Sequence, residues 1–170
     1  MKSWLVVIFL AASCSFASAT PVEDLVKQGE AAIAAKDIEG AMKAFDAALE
    51  ADPNNARASY DRGRINLVLH KNTNAVADFT TAILADPTMG VAYSARGEAK
   101  IILKDESSGF ADLDAGVVAS PKLPEVYVLR ATCRMRKGDA TGAKADLEAA
   151  RAIADNDTIK MLDVLLAKMQ

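Results

Sequence analysis

The chain has 170 residues, a formal charge of −3 and a composition that is 51% hydrophobic but only 5% aromatic. So small a negative charge leaves no general electrostatic footprint for nucleic acid or for an anionic membrane surface. One histidine, His70, and two cysteines are too few for a zinc site of the usual kind or for a Cys/His dyad.

The first segment reads as an export signal. Lys2 precedes an apolar run from Trp4 to Ala12, and small and polar residues follow, ending in Ala17-Ser18-Ala19. This is the layout of a cleaved secretory signal over residues 1–19, with an apolar core too short to span a membrane. The expected destination lies across the inner membrane, in a bacterial periplasm. Cys14 follows Ala11-Ala12-Ser13 and lacks the leucine of a lipobox, which argues against a lipid anchor there. Cleavage after Ala19 frees Thr20-Pro21-Val22-Glu23, a helix start with Thr20 as N-cap, Pro21 at the first position and Glu23 completing a capping box. Loss of Lys2 takes the formal charge from −3 to −4 and leaves Cys133 as the one cysteine of the mature chain. An intramolecular disulfide is then impossible; Cys133 reads as a buried, inert thiol, with an intermolecular disulfide as the alternative.

From Val22 onward the chain keeps a period of 34 residues. Gly29, Gly63, Gly97 and Ala131 are spaced by it, as are Pro53, Pro87 and Pro121. So are Ala41, Ala75, Gly109 and Ala143; Phe45, Phe79, Leu113 and Leu147; and Ala48, Ala82, Gly116 and Ala150. A fixed period of this length means stacked supersecondary units. Small residues mark where two helices close on each other. Leu49, Ile83 and Val117 in one row, and Met42, Val76 and Phe110 in another, fill the space beside them. The prolines stop the second helix of each unit, and Lys36-Asp37 and Lys137-Gly138-Asp139 supply turns within units.

These rows resemble the tetratricopeptide repeat, a helix–turn–helix unit of 34 residues. The resemblance covers residues 22–155 and implies an all-α fold. That fold is a right-handed α-solenoid of four repeats, about 22–55, 56–89, 90–123 and 124–155, within a domain of residues 20–170. Three departures stand out. The large residue seen as Leu25, Tyr93 and Tyr127 is Ser59 in the second repeat, and the family's later tyrosine of the same helix is absent from all four. Gly109 and Gly116 lie inside the second helix of repeat three, each costing roughly 1 kcal/mol against alanine, so that helix is expected to be the softest.

Charge repeats with the same period. Arg62, Arg96 and Arg130 recur with Asp78, Asp112 and Asp146, whereas repeat one has Gln28 and Ala44 at these places. Both charges vanish together, which predicts a bidentate Arg–Asp pair bridging the two helices of repeats two to four. An arginine row reading an anionic ligand is the alternative. At the far end Lys144 and Arg151 replace the apolar residues of earlier repeats, as befits the last unit. Beyond them Ile159, Leu162, Leu166 and Met169 form one stripe of a capping helix over about 157–169. Met161, Val164 and Leu165 leave its other side partly apolar, which raises a weak homodimer as a second use.

No catalytic constellation emerges. The glycines follow the repeat rather than a phosphate loop, and His70 is explained as a cation at a helix C-terminus. Asp155-Asn156-Asp157 resembles part of a calcium loop without a complete ligand set. The expectation is a protein that is not an enzyme, takes no cofactor or metal, and binds a protein or peptide partner. The resemblance implies that the first helices line a concave groove for that segment. It places Val26, Glu30, Arg57, Tyr60, Arg64, Glu98 and Val128 among the groove residues. The Lys/Asn clamp of chaperone-binding relatives is missing, since Val26, Glu30 and Asp61 stand at its places. Arg57, Arg64 and Tyr60 flanked by glutamates instead favour a segment carrying a carboxylate near its middle. The structural alternative is an assembly subunit that self-associates through its last helix.

Overall fold

The computed structural model describes residues 21–167. The signal segment, the Thr20 cap and Met169 lie outside the described residues. Within them the chain forms helices and no strand: α1 (Val22–Ala34), α2 (Ile38–Ala51), α3 (Ala56–Val68), α4 (Asn72–Ala85), α5 (Gly90–Ile102), α6 (Glu106–Ala119), α7 (Pro124–Lys137), α8 (Ala140–Ile153) and α9 (Asn156–Ala167). Each odd-numbered helix from α1 to α7 packs on the even-numbered helix that follows it, and α9 packs on α8. The all-α solenoid of four helix–turn–helix units closed by a further helix is therefore observed.

The turns repeat as strictly as the helices. Lys36, His70, Lys104 and Gly138 are equivalent residues and all four adopt positive φ, at 61°, 57°, 70° and 87°. In each unit the next residue's amide reaches back to close a Schellman motif, as in Asp37 N to Ala32 O at 2.8 Å and Asp105 N to Lys100 O at 2.9 Å. Only Gly138 adopts this conformation without a steric cost. His70 is thus the left-handed residue of a helix end, and its charge is secondary. Asp37, Asp105 and Asp139 then cap the second helices by accepting from Gly40, Ser108 and Gly142 amides. At the start of α1 the sequence expectation is off by one residue. Pro21 itself takes the cap place, with φ −52° and ψ 140°, and makes no side-chain cap bond. Asp155, the fragment of an apparent calcium loop, accepts from the Thr158 amide at 2.8 Å and so caps α9.

Helix pairs close by two different pairings of small and large residues. A Cβ on Gly29 would lie 2.5 Å from the Phe45 ring and one on Gly63 2.7 Å from the Phe79 ring. Where alanine stands at the equivalent place, Ala131, the facing residue is the smaller Leu147. Repeat three uses glycine on both sides. A Cβ on Gly97 would meet Gly109 O at 2.6 Å, and one on Gly116 would meet Gly90 O at 2.8 Å. α5 and α6 therefore touch backbone to backbone. The softness expected of α6 from propensity alone overlooks this contact, since the same glycines let the two helix backbones touch.

The arginine row behaves as its correlation predicts. Arg62 reaches Asp78 with Nη2 at 2.6 Å, Arg96 grips Asp112 with Nε and Nη2 at 2.8 Å each, and Arg130 reaches Asp146 at 2.6 Å. Each guanidinium has a second hold on the preceding repeat: Asp46 for Arg62, Thr80 for Arg96 and Asp114 for Arg130. Each aspartate has a second donor, Asn66 Nδ2, Lys100 Nζ or Arg134 Nη1, at 2.8 Å. The arginines are occupied, so the anionic-ligand alternative loses its ground. At the C-terminal end Leu162 is fully buried against Ala131, Ala143, Leu147 and Ala150, and Arg151 holds Asp163 across α8 and α9.

Candidate functional site

The first helices of the repeats border a groove of about 490 Å³. Its apolar lining includes Ile33 of α1, Leu67 and Val68 of α3, Ile102 of α5 and Leu129 of α7. Val68 is 68% exposed and Ile102 41% exposed, and the two equivalent residues offer their apolar surface to the same slot. The helices present them because they follow the last residues packed against the second helices, just before the left-handed turns. Tyr60, Arg64, His70 and Glu98 supply the polar edge.

Of the residues expected in the groove, the structure brings together Tyr60, Arg64 and Glu98. The Arg64 guanidinium lies 5.7 Å from the centre of the Tyr60 ring, and that ring tilts against Phe79 at 5.9 Å. Burial pushes the Tyr60 hydroxyl above the usual tyrosine range, so it stays a neutral donor. Glu98 is held by Arg136 of α7. Arg57 and Glu30 sit beside this cluster as an ion pair at 2.9 Å, both largely open to solvent. Val26 does not belong to the groove. It is 9% exposed and packs with Ala41, Phe45 and Ala48 of its own repeat, in a cluster that also takes in Ala58 and Ile65 of α3. Val128 is half-buried against the cluster built on Ala131 and Leu147.

Asp61 is the residue whose role sequence reasoning missed. It is 1% exposed and accepts from Arg57 Nε at 2.6 Å and from Arg64 Nη1 at 3.3 Å, so that with Glu30 on Arg57 two carboxylates balance the two arginines. Its spacing, four residues after Arg57 and three before Arg64, was the available signal. The expected preference for a carboxylate in the ligand rested on two free arginines, and the buried aspartate removes that basis. What remains is an apolar slot with an internally balanced polar edge. Among the described residues no group of His, Cys, Asp and Glu is placed to hold a metal ion. Cys133 is buried and unpaired, and burial raises its thiol above the ordinary range.

Comparison with known proteins agrees with the fold. The family described as Tetratricopeptide repeat matches residues 25–55, within the first unit. No curated protein matches the chain by sequence. The fold is similar to that of TTC0263, a thermophilic TPR protein of Thermus thermophilus, with a TM-score of 0.75 and 20% identity over 87% of this chain and 80% of that one. It is also similar to MamA from Desulfovibrio magneticus, with a TM-score of 0.64 and 23% identity over 78% of this chain and 75% of that one. The TPR2B domain of yeast Sti1, solved in complex with pHsp70, gives a TM-score of 0.61 and 24% identity over 68% of this chain and 97% of that domain. These identities carry the fold alone. Together with the family match in the first unit and four units in one register, they show an all-α fold of the tetratricopeptide-repeat type.

Proposed function

We propose that the protein is an exported adaptor that binds a segment of a partner protein in the groove bordered by α1, α3, α5 and α7. The observation that carries this reading is the exposed apolar pair Val68 and Ile102 beside Tyr60, within a slot whose charges are already paired. Such a lining accepts apolar side chains, while Arg64 and Glu98 at the edge orient the segment's polar groups. The Sti1 domain with pHsp70 and the second TPR of Spaghetti with the HSP90 peptide SRMEEVD show that this fold elsewhere presents a peptide site. Export rests on the N-terminal pattern of Lys2, the apolar run and Ala17-Ser18-Ala19.

The test is a crosslinking pull-down from the periplasm, comparing wild type with Val68→Glu/Ile102→Glu. Both side chains are exposed, so the double variant keeps its fold. A partner captured by wild type and lost from the variant supports the groove; partners captured equally by both refute it. Mass spectrometry of the exported protein tests the other half, with Thr20 expected at its N-terminus.

A second reading is favoured by α9, where Met161 is 53%, Val164 56% and Leu165 37% exposed. These residues offer a face for self-association. Sedimentation showing a dimer that Leu165→Glu disperses would support an assembly role, and a monomer at high concentration would exclude it.

A further inference from the structure

The period breaks at one buried position outside the groove. Leu25, Tyr93 and Tyr127 are equivalent residues, and the second repeat has Ser59 in their place. Ser59 is 1% exposed and its hydroxyl has no hydrogen-bond partner. It lines a pocket of about 350 Å³ with Leu49, Pro53, Arg62 and Thr81, and with Asp46 and Glu50. That pocket shares no lining residue with the groove.

The equivalent tyrosines show what a site of this construction holds. The Tyr127 hydroxyl donates to the carbonyl of Pro121 at 3.1 Å. Pro53 precedes Ser59 as Pro121 precedes Tyr127, and it lines the pocket. The Tyr93 ring centre lies 5.7 Å from the Arg96 guanidinium, and the ring packs against the cluster of Ala82, Ile83 and Ala92. Arg62 and Leu49, the equivalents of Arg96 and Ile83, both line the Ser59 pocket. The second repeat therefore keeps the equivalents of the acceptor that holds Tyr127 and of the cation and apolar wall beside Tyr93, but lacks the phenol.

We propose that the Ser59 pocket binds a phenol ring, delivered as a tyrosine side chain of a protein partner. In the bound state the ring stacks near Arg62 and against Leu49, and its hydroxyl donates to the Pro53 carbonyl. The exposed Glu50 borders the pocket, whereas Asp46 is already held by Arg62, so the fitting segment carries a lysine or arginine next to its tyrosine to meet Glu50.

Amide chemical shifts of isotope-labelled protein test this with three probes: p-cresol, toluene and N-acetyl-tyrosinamide. p-Cresol and N-acetyl-tyrosinamide are expected to move Asn54, Asn55, Ser59 and Arg62 in a saturable way, at the millimolar concentrations normal for ligands so small. Toluene, without a hydroxyl for the Pro53 carbonyl, binds about tenfold more weakly. Ser59→Tyr and Ser59→Leu fill the pocket as the other repeats do and lose the response, whereas Ser59→Ala retains it. Absence of saturable shifts in wild type, or shifts that persist in Ser59→Leu, overturns the site. Binding of p-cresol with exclusion of N-acetyl-tyrosinamide overturns its delivery by a partner. None of these outcomes bears on Val68 and Ile102, so the groove stands or falls separately.

Discussion

Gly116→Ala separates two opposing forces in the third repeat. Helix propensity alone makes the substitution stabilising by about 1 kcal/mol, because glycine in the middle of a helix carries excess backbone entropy. The structure gives the opposite sign. The new Cβ would lie 2.3 Å from Ser94 Oγ, 2.8 Å from Gly90 O and 3.3 Å from Ser94 N. Ser94 can rotate away, but the Gly90 carbonyl cannot, so α6 must withdraw from α5. Withdrawal also loosens the contact at the other end, where a Cβ on Gly109 would already be 2.8 Å from Gly97 O. Overpacking of a tight contact costs about 1–3 kcal/mol, and a gap of about half an ångström forfeits a quarter or more of each dispersion well. Against the propensity gain of about 1 kcal/mol the balance is a loss of up to about 2 kcal/mol, read from the midpoint of urea unfolding at unchanged slope. Val118→Ala, at a site on the same helix that is 80% exposed, is the control and gains about 0.5 kcal/mol from propensity alone. In the double variant Ser94→Ala/Gly116→Ala only part of the loss returns, because the Gly90 carbonyl remains. A Gly116→Ala protein more stable than wild type by about 1 kcal/mol would refute the argument.

Further outcomes follow from the turns, the buried pairs and the thiol. Lys104→Gly relieves a non-glycine residue at φ 70° and raises stability by about 0.5–1 kcal/mol in urea, while Gly138→Ala at φ 87° lowers it by about 1 kcal/mol. Burial alone would raise the Asp112 carboxyl, but the bonds from Arg96 and Lys100 outweigh it and hold it below the usual range. A lowered folded value means its stabilisation is present above about pH 4 and is lost as pH falls through the folded value. Asp112→Asn should therefore cost about 1–2 kcal/mol at pH 7 by removing the charge that pairs two partly exposed cations, and should flatten the acid limb of the stability profile. Cys133, 2% exposed, should react with a thiol reagent at least tenfold more slowly in the native protein than in urea; equal rates would show that α7 opens readily.

The helix units and their Arg–Asp pairs were legible because they depend on residue type at a fixed interval. The pairing of Arg62 with Asp78 could be inferred from Gln28 and Ala44, which lose both charges together in repeat one. The third member was equally visible and went unread. Asn66, Lys100 and Arg134 share one place, repeat one has Ala32 there, and each bonds the same aspartate. That place belongs to the family's missing tyrosine, so the departure was a replacement of an apolar contact by a polar one. Distances were not legible. Gly109 and Gly116 read as weak helix formers because nothing in the sequence states how near Gly97 O and Gly90 O lie. Val26 and Tyr60 are equivalent residues with different surroundings, Val26 buried in the cluster of Phe45 and Ile65 and Tyr60 bordering the groove, and a period cannot express that difference.

Each arginine of the row holds its own repeat through a buried aspartate and the preceding repeat through a half-open residue, and the two holds differ in kind. Asp78 is 8% exposed beside Arg62, whereas Asp46 on the other side is 52% exposed. Solvent screening leaves the outer contact worth well under 1 kcal/mol, while the inner one fixes a charge that cannot be stranded cheaply. The outer bond therefore acts on angle, setting how one repeat follows the last, and the inner bond secures the helix pair itself. Between repeats two and three the outer partner is the neutral Thr80, so that joint is oriented by a hydrogen bond of 3.2 Å without opposite charges. Val68 of α3 and Ile102 of α5 stand on either side of this joint. A groove wall that must admit a segment is thus carried by the junction with the least electrostatic restraint, while the pocket at Ser59 lies at the junction before it, where Asp46 and Arg62 hold the frame around an unfilled place.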